Sequence, residues 1–332
     1  MINSHIIPAF YLERFARLST RGPNSPGRVC VYEKGKEPDD RATSVQGREN
    51  GYFAHVQPDG TVEESFEAVL AERENECNEV LELARSPLYR WPTRSEEKLA
   101  SYAAHLFRRA TQQRTFSERN WRKIIDDIRQ AAADPEYVRQ TAADIRSKRG
   151  IPITEDILRD SITTWVEEAT EPKSARNSFI SDLLGHAEQG AALLLKKRPW
   201  RILRPPDGVE FVTSDNPLVT FVPLRHGVLH PGYGFRKPDA DAAFPLAPDA
   251  CLLMGSAWNV PASLDKAAAD NLNDVLISVS DRYVYSKTLS REIQGRVDQY
   301  GGTTRYGVNA FMPLGIKVPL AREFLRTHFG LD

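Results

Sequence analysis

The chain has 332 residues and a mass of 37.4 kDa, with 44 Lys+Arg against 45 Asp+Glu and a formal net charge of −1. With 27% charged residues, 41% hydrophobics and a mean hydropathy of −0.46, it reads as a soluble globular protein long enough to bury a sizeable core. The near-neutral balance excludes a general attraction to nucleic acid or to anionic membranes and leaves only local patches.

Three cysteines, Cys30, Cys77 and Cys251, are far apart and odd in number, and no CxxC pair exists. Neither a disulfide framework nor a zinc ribbon is expected. The opening Met1-Ile-Asn-Ser-His-Ile-Ile-Pro8 lacks a basic n-region, and no run of about 18 apolar residues occurs. The expectation is a reduced, cytoplasmic protein without a membrane partner.

In chain order, a short amphipathic helix is predicted within His5–Arg17, then a Gly/Pro/Ser loop over Ser19–Gly27 and an alternating strand over Arg28–Glu33. Glu63–Arg85 has helical periodicity, with Phe66, Val69, Leu70, Cys77, Val80 and Leu81 on one face. Thr93-Arg-Ser-Glu96 resembles a capping box opening a helix that runs to Arg114. Further helices are predicted over Phe116–Arg149 (broken at Asp134-Pro135), Thr154–Glu168 and Ser178–Lys197.

After Pro199 short β-branched runs appear at Glu210–Thr213, Leu218–Val222, Cys251–Met254 and Arg282–Tyr285, with a helix over Leu264–Ser280. A lone strand is unstable, so Val29–Tyr32 is expected to pair with these late strands. The prediction is one α+β domain over 1–332, with an N-terminal helix and strand (1–60), a helical block (61–199) and an α/β block (200–332). The helical block is thus inserted between the first strand and a C-terminal mixed or antiparallel sheet.

Several segments together resemble one family. His5-Ile-Ile-Pro-Ala-Phe-Tyr-Leu-Glu-Arg-Phe15 is similar to the H-x-x-P-x-F-Y-L-x-x-F opening of domain of unknown function 4238, a mainly bacterial family. In order there follow Glu67 and Glu74, Arg114, Trp200-Arg-Ile-Leu203, Phe211-Val-Thr-Ser-Asp-Asn-Pro217, Pro245-Leu-Ala-Pro248, Asn271-Leu-Asn273 and Arg282-Tyr-Val-Tyr-Ser286. Ala9 departs from the expected Gln. The resemblance implies a residue list and no reaction.

The polar residues in unusual places supply the candidate site. Glu67 and Glu74 superpose on a helical wheel beside an apolar face, and the stretch from Glu63 to Glu82 holds eight Glu and one Arg. From Arg94 to Gly150 there are thirteen Lys/Arg and eight Asp/Glu, so neighbouring helices of opposite charge have the option of pairing across a surface. Exposed pairs contribute only about 0–1 kcal/mol each. Arg114 falls on the wheel beside Ala103, Phe107 and Ala110, where an unpaired guanidinium would cost several kcal/mol. Its expected partner is Glu67, Glu74 or an anionic ligand; Arg109 and Gln113 lie on the other edge of that face. Ser214, Asp215 and Asn216 before Pro217 form either a turn or a strand end facing a cleft. His5 either caps its helix or points into the same site.

His5, Glu67, Glu74 and Asp215 are the candidate catalytic residues, with Arg114, Arg109, Ser214 and Asn216 as candidate substrate contacts. Carboxylates with one imidazole suit Mg²⁺ or Mn²⁺, although no spacing demands a metal. Ser95-Glu-Glu-Lys98, Ser214-Asp-Asn216 and Lys287-Thr-Leu289 mimic the serine β-lactamase set, but the third lacks its glycine. His226 and His230, four apart, lack the glutamate of a zincin. Two functions follow as expectations. One is a phosphodiesterase- or nuclease-like hydrolase acting on a phosphorylated substrate, a nucleotide or a nucleic acid. The other is a non-catalytic module that binds an anionic small molecule or a partner.

Overall fold

The computed structural model describes residues 3–17, 25–57, 59–63, 65–84, 93–197, 199–224 and 227–306. The Ser19–Gly27 loop, the helix end at Arg85 and His226 lie wholly or partly outside them. Two compact units are present: described residues up to 113 together with those from 182 onward, and residues 114–181. The division falls inside the expected helical block.

The chain begins with β1 (Asn3–His5), α1 (Ala9–Glu13), β2 (Arg28–Glu33), β3 (Asp39–Ala42), β4 (Arg48–Asn50), β5 (His55–Val56) and β6 (Val62–Glu63). Six helices follow: α2 (Ser65–Ala84), α3 (Thr93–Arg109), α4 (Thr111–Ala133), α5 (Pro135–Arg149), α6 (Glu155–Thr170) and α7 (Pro172–Lys196). Then come β7 (Trp200–Leu203), β8 (Thr213–Ser214), β9 (Val219–Pro223), β10 (Leu229–Pro231), β11 (Asp241–Ala247) and β12 (Ala250–Met254), and finally α8 (Lys266–Ser278), β13 (Tyr283–Ser286) and α9 (Arg291–Tyr300).

The fold is α+β, and the named strands pair antiparallel. One sheet has the order β10-β9-β11-β12-β7, a second the order β3-β2-β13-β8, and β1/β4 and β5/β6 form separate pairs. β2 pairs with the neighbouring β3 on one edge and, on the other, with β13 only after the helical insertion, Glu33 opposite Tyr283 and Cys30 opposite Ser286.

Several local signals act as expected. Asp134 accepts from the backbone amides of Glu136 and Tyr137, with Pro135 at the first helical position, so the chain breaks there and restarts as α5. Thr154 caps α6 through the Ile157 amide at 3.2 Å. The helix expected to reach Arg114 instead stops at Arg109, and α4 starts at Thr111. β11 escaped prediction because Pro245 interrupts it. All seven of its residues are buried at the centre of the five-stranded sheet, and the register shifts between Pro245 and Ala247. A proline is tolerated inside a sheet at such an irregularity because it has no amide to donate.

The large core of the first unit joins α1, β2, α2, α3 and the late strands. The second unit has its own core of Ile125, Ile128, Val138, Ala142, Ile145, Leu158, Ile162 and their neighbours. In the first, Tyr11 donates its hydroxyl to the Pro245 carbonyl at 2.7 Å, lies 2.9 Å from Thr213 Oγ1 and stacks on Phe244. Asp215 fastens β8 to the approach of β13. Its Oδ1 accepts the Asp281 amide at 2.7 Å, and Oδ2 accepts those of Arg282 and Tyr283 at 2.7 and 2.8 Å.

Burial raises the Asp215 carboxyl to about 6, against the pull of those three amides. Its folded pKa therefore lies above the ordinary 3.8, so its contribution to stability is complete below 3.8 and is lost as pH rises through 6. Asp215→Asn points an amide group at backbone donors and should cost about 3 kcal/mol or more, since each unsatisfied buried group costs about 1–3 kcal/mol. Urea unfolding at several pH values checks both points. The variant is expected to lose that component of the pH dependence, and an unchanged midpoint would contradict the assigned role.

Candidate functional site

A pair of antiparallel strands and two packed helices supply the candidate residues. The β1/β4 pair places His5 opposite Arg48, and the turn before β4 is pinned by the Gly47 carbonyl, which accepts the Ile6 and Ile7 amides at 2.7 and 3.2 Å. Gly47 has φ +61°, and a Cβ there would lie 2.9 Å from that of Ile7, so the close approach requires glycine. Arg48 Nε donates to His5 Nε2 at 2.6 Å. Burial first, then the charges of Arg48 and Arg109, lower the His5 pKa to about 4, so the ring is neutral at pH 7.

On α3, Tyr102, His105 and Arg109 follow at spacings of three and four and share a face. Arg109 donates from Nη1 to Glu74 Oε1 on α2 at 2.7 Å; the two side chains are 2% and 20% exposed. The hydroxyl of Tyr52 fixes the helix end by donating to the Arg109 carbonyl at 3.0 Å. Nε and Nη2 of Arg109 are buried with no partner among the described residues. These two nitrogens form the side-on fork of a guanidinium, the edge that matches a carboxylate or phosphate.

The groups around it are also unsatisfied. His105 is buried with both ring nitrogens unpartnered, and burial followed by the charges of Arg73 and Arg109 lowers its pKa to about 3. The Tyr102 hydroxyl is unpartnered, and burial raises its pKa well above the ordinary value. On α2, Glu67 Oε1 is buried without a partner, about 10 Å along the helix from Glu74 at 1.5 Å per residue. Each such group costs about 1–3 kcal/mol, and a concentration of them needs an explanation beyond stability.

Of the residues proposed from sequence, Glu74 and Arg109 are bonded to each other, His5 bonds to Arg48 and feels the Arg109 charge, and Glu67 shares the stripe of Glu74. The others make their bonds elsewhere. Arg114 donates to Glu118 at 2.9 Å, one turn along α4, within the second unit. Its wheel position assumed one helix through residue 110, and the break there resets the phase. Ser214 Oγ donates to the Asn216 carbonyl at 2.9 Å and accepts its amide, and Asn216 Nδ2 donates to the Val279 carbonyl. These residues and Asp215 thus form the turn, with every Asp215 carboxylate oxygen occupied by backbone. Sequence reasoning missed His105 and Tyr102. Their signal was two polar residues in the apolar stripe of Leu99, Ala103, Leu106 and Phe107.

No three His, Cys, Asp or Glu side chains among the described residues stand together as a metal site. The proposed Mg²⁺ or Mn²⁺ set of His5, Glu67, Glu74 and Asp215 therefore does not fit a divalent cation. A recess of about 900 Å³ lies elsewhere in the first unit, between the 204–212 loop, α8 and α9. Its cations are paired: Arg204 with Asp249, Lys266 with Asp270 and Glu292, and Arg296 with Asp270, Asp274 and Glu292. Its lining offers neither an imidazole nor an unpaired cation.

The family described as protein of unknown function (DUF4238) matches residues 3–290. The chain belongs to this family. No curated protein and no solved structure matches it. Within the matched span, the motifs quoted above are tied to one another by polar bonds. Tyr11 of the first motif reaches Thr213 and Pro245; Asp215 reaches residues 281–283; Asn273 accepts the Val212 amide and donates to the Glu210 carbonyl. Arg201 donates to the carbonyls of Trp258 and Val260. Much of the motif set therefore holds the architecture; single buried atoms of Arg201, Asn216 and Tyr285 are also unpartnered, but α2 and α3 hold Glu67, Tyr102, His105 and Arg109 in that condition together.

Removing one member of a buried pair is harmful in proportion to how deeply the survivor is buried. Glu74→Leu strands the Arg109 guanidinium and should cost about 3–5 kcal/mol. Arg109→Met leaves Glu74 in reach of water and should cost much less. Equal losses in denaturant unfolding would contradict the asymmetry. A second expectation concerns acid. The folded pKa values of His5 and His105 lie below the ordinary 6.5, so the unfolded chain binds more protons and stability falls as pH drops through 6.5 towards 4 and 3. His105→Gln should flatten that decline, as followed by thermal unfolding at stepped pH.

Proposed function

We propose that the protein recognises a small anionic molecule, through a phosphate or carboxylate group, at the Arg109 cluster. The observation that carries this reading is the buried Nε/Nη2 edge of Arg109, which has no partner among the described residues while Nη1 is held by Glu74. Glu74 orients the guanidinium and offsets part of its charge, and the remaining edge presents two parallel donors in a low-dielectric setting. Tyr102 and His105 supply further donors beside it. A polar set kept partly unsatisfied is costly in the free protein and is compensated when an anion arrives.

A second reading, hydrolysis of a phosphorylated substrate or nucleotide, is favoured by the neutral state of His105. A neutral imidazole is the form that accepts a proton from an attacking water. A bound anion on Arg109 would cancel the smallest of the influences that depress His105, after burial and Arg73, and so raise its pKa in part. Recognition comes first in either case, and both readings use the same arginine.

Imidazole NMR of the full-length protein tests this directly. Addition of phosphate, pyrophosphate or a nucleoside phosphate should shift the His105 resonances and raise the pKa of that ring by about one unit, equivalent to 1.4 kcal/mol of interaction. Arg109→Met should abolish the shift, and Arg109→Lys should weaken it by losing the two-pronged contact. His105 resonances that ignore every anion would sink the proposal. Phosphate release by wild type but not by His105→Gln, with anion binding retained in that variant, would establish the hydrolytic reading.

A further inference from the structure

We infer that the helical second unit carries its own anion site, a recess that binds the phosphoryl group of a small organic phosphate. The recess has a volume of about 460 Å³ and is lined by α4 from Arg114 to Arg129 and by the turn from α6 into α7. That volume lies within the roughly 300–1,000 Å³ range of small-molecule sites.

The charges that line it decide the ligand class. Three carboxylates, Glu118, Asp126 and Glu171, face four guanidiniums, of Arg114, Arg122, Arg129 and Arg176. Every carboxylate is already claimed: Glu118 by Arg114 at 2.9 Å, Asp126 by Arg129 at 2.9 Å, and Glu171 by Lys173 at 2.9 Å. Arg122 and Arg176 have neither a hydrogen bond nor an ion pair with any other described residue. Two uncompensated guanidiniums, one from α4 and one from α7, therefore line a single recess. Two guanidiniums lining one concavity suit a dianion with several acceptor oxygens better than a single carboxylate.

Trp121 provides the apolar wall for the organic part of the ligand. Its Nε1 donates to the Ala169 carbonyl at 2.9 Å, and its ring meets Trp165 edge-on with centroids 6.0 Å apart. The indole is thus fixed on the second unit's core instead of turning freely, and it serves as an optical reporter. This site shares no residue with the Arg109 cluster and stands or falls without it.

Titration of the full-length protein with adenosine monophosphate and with inorganic phosphate, followed by calorimetry and tryptophan emission, tests the inference. Adenosine monophosphate is expected to bind more tightly than free phosphate and to change the emission, with affinity falling as salt rises. The double variant R122Q/R176Q removes two exposed or half-buried groups without protein partners, so its folding should be unaffected. It should weaken adenosine monophosphate at this site by at least about tenfold, the equivalent of 1.4 kcal/mol. Arg109→Met should leave the emission change intact, whereas loss of the change in Arg109→Met and its survival in R122Q/R176Q would overturn the inference. So would the absence of binding by either anion at millimolar concentration, or equal affinity in wild type and the double variant.

Discussion

The pairing of β2 with β13 is the constraint on which the first unit depends, because it closes a loop of roughly 250 residues, from Glu33 to Tyr283. The entropy of closing a loop grows slowly, by about 0.6 kcal/mol for each doubling of its length, so a long helical insertion is tolerated once its ends are held. What holds them is buried and polar. Tyr11 reaches two late segments with one hydroxyl, and Asp215 gathers three amides at the start of β13. The helices that carry the ionisable cluster are part of the chain between those fastenings.

The contrast between Asp215 and Arg109 separates scaffold from site. Both are deeply buried ionisable groups, and residue type alone makes each a candidate for chemistry. Asp215 has its carboxylate oxygens filled by backbone donors, which leaves it nothing to offer a ligand. Arg109 is held by one nitrogen and left open on its fork, beside an imidazole and a phenol in the same condition. A buried network in which every member is satisfied rigidifies a fold; one left incomplete costs stability and suits a binding role. The half-exposed Glu74 and the His5–Arg48 contact place ionisable groups between that interior and the surface.

Much of the fold was legible in local pattern. The alternation over Arg28–Glu33, the Asp134-Pro135 break and the Thr154 cap each depend on neighbours within a few residues, so the chain announces them. The misses have equally physical causes. β11 contains a proline and gains its stability from β9 and β12, which no window around Pro245 contains. The interruption at Ala110 shifted the helical phase and directed attention to Arg114, while Arg109, on the weaker edge of the predicted face, held the acidic partner.

Composition, charge and periodicity thus determined the class of fold, the main helices, the strand that must find a distant partner, and the idea that an acidic helix would meet an arginine from the next. Tertiary structure alone decided which arginine, which carboxylate remains available, and that His105 and Tyr102 stand beside them. Secondary structure follows from bonds between residues close in sequence, whereas satisfaction of a buried polar atom depends on whatever the whole chain brings within about 3 Å of it. That count of partners has no signature in one dimension.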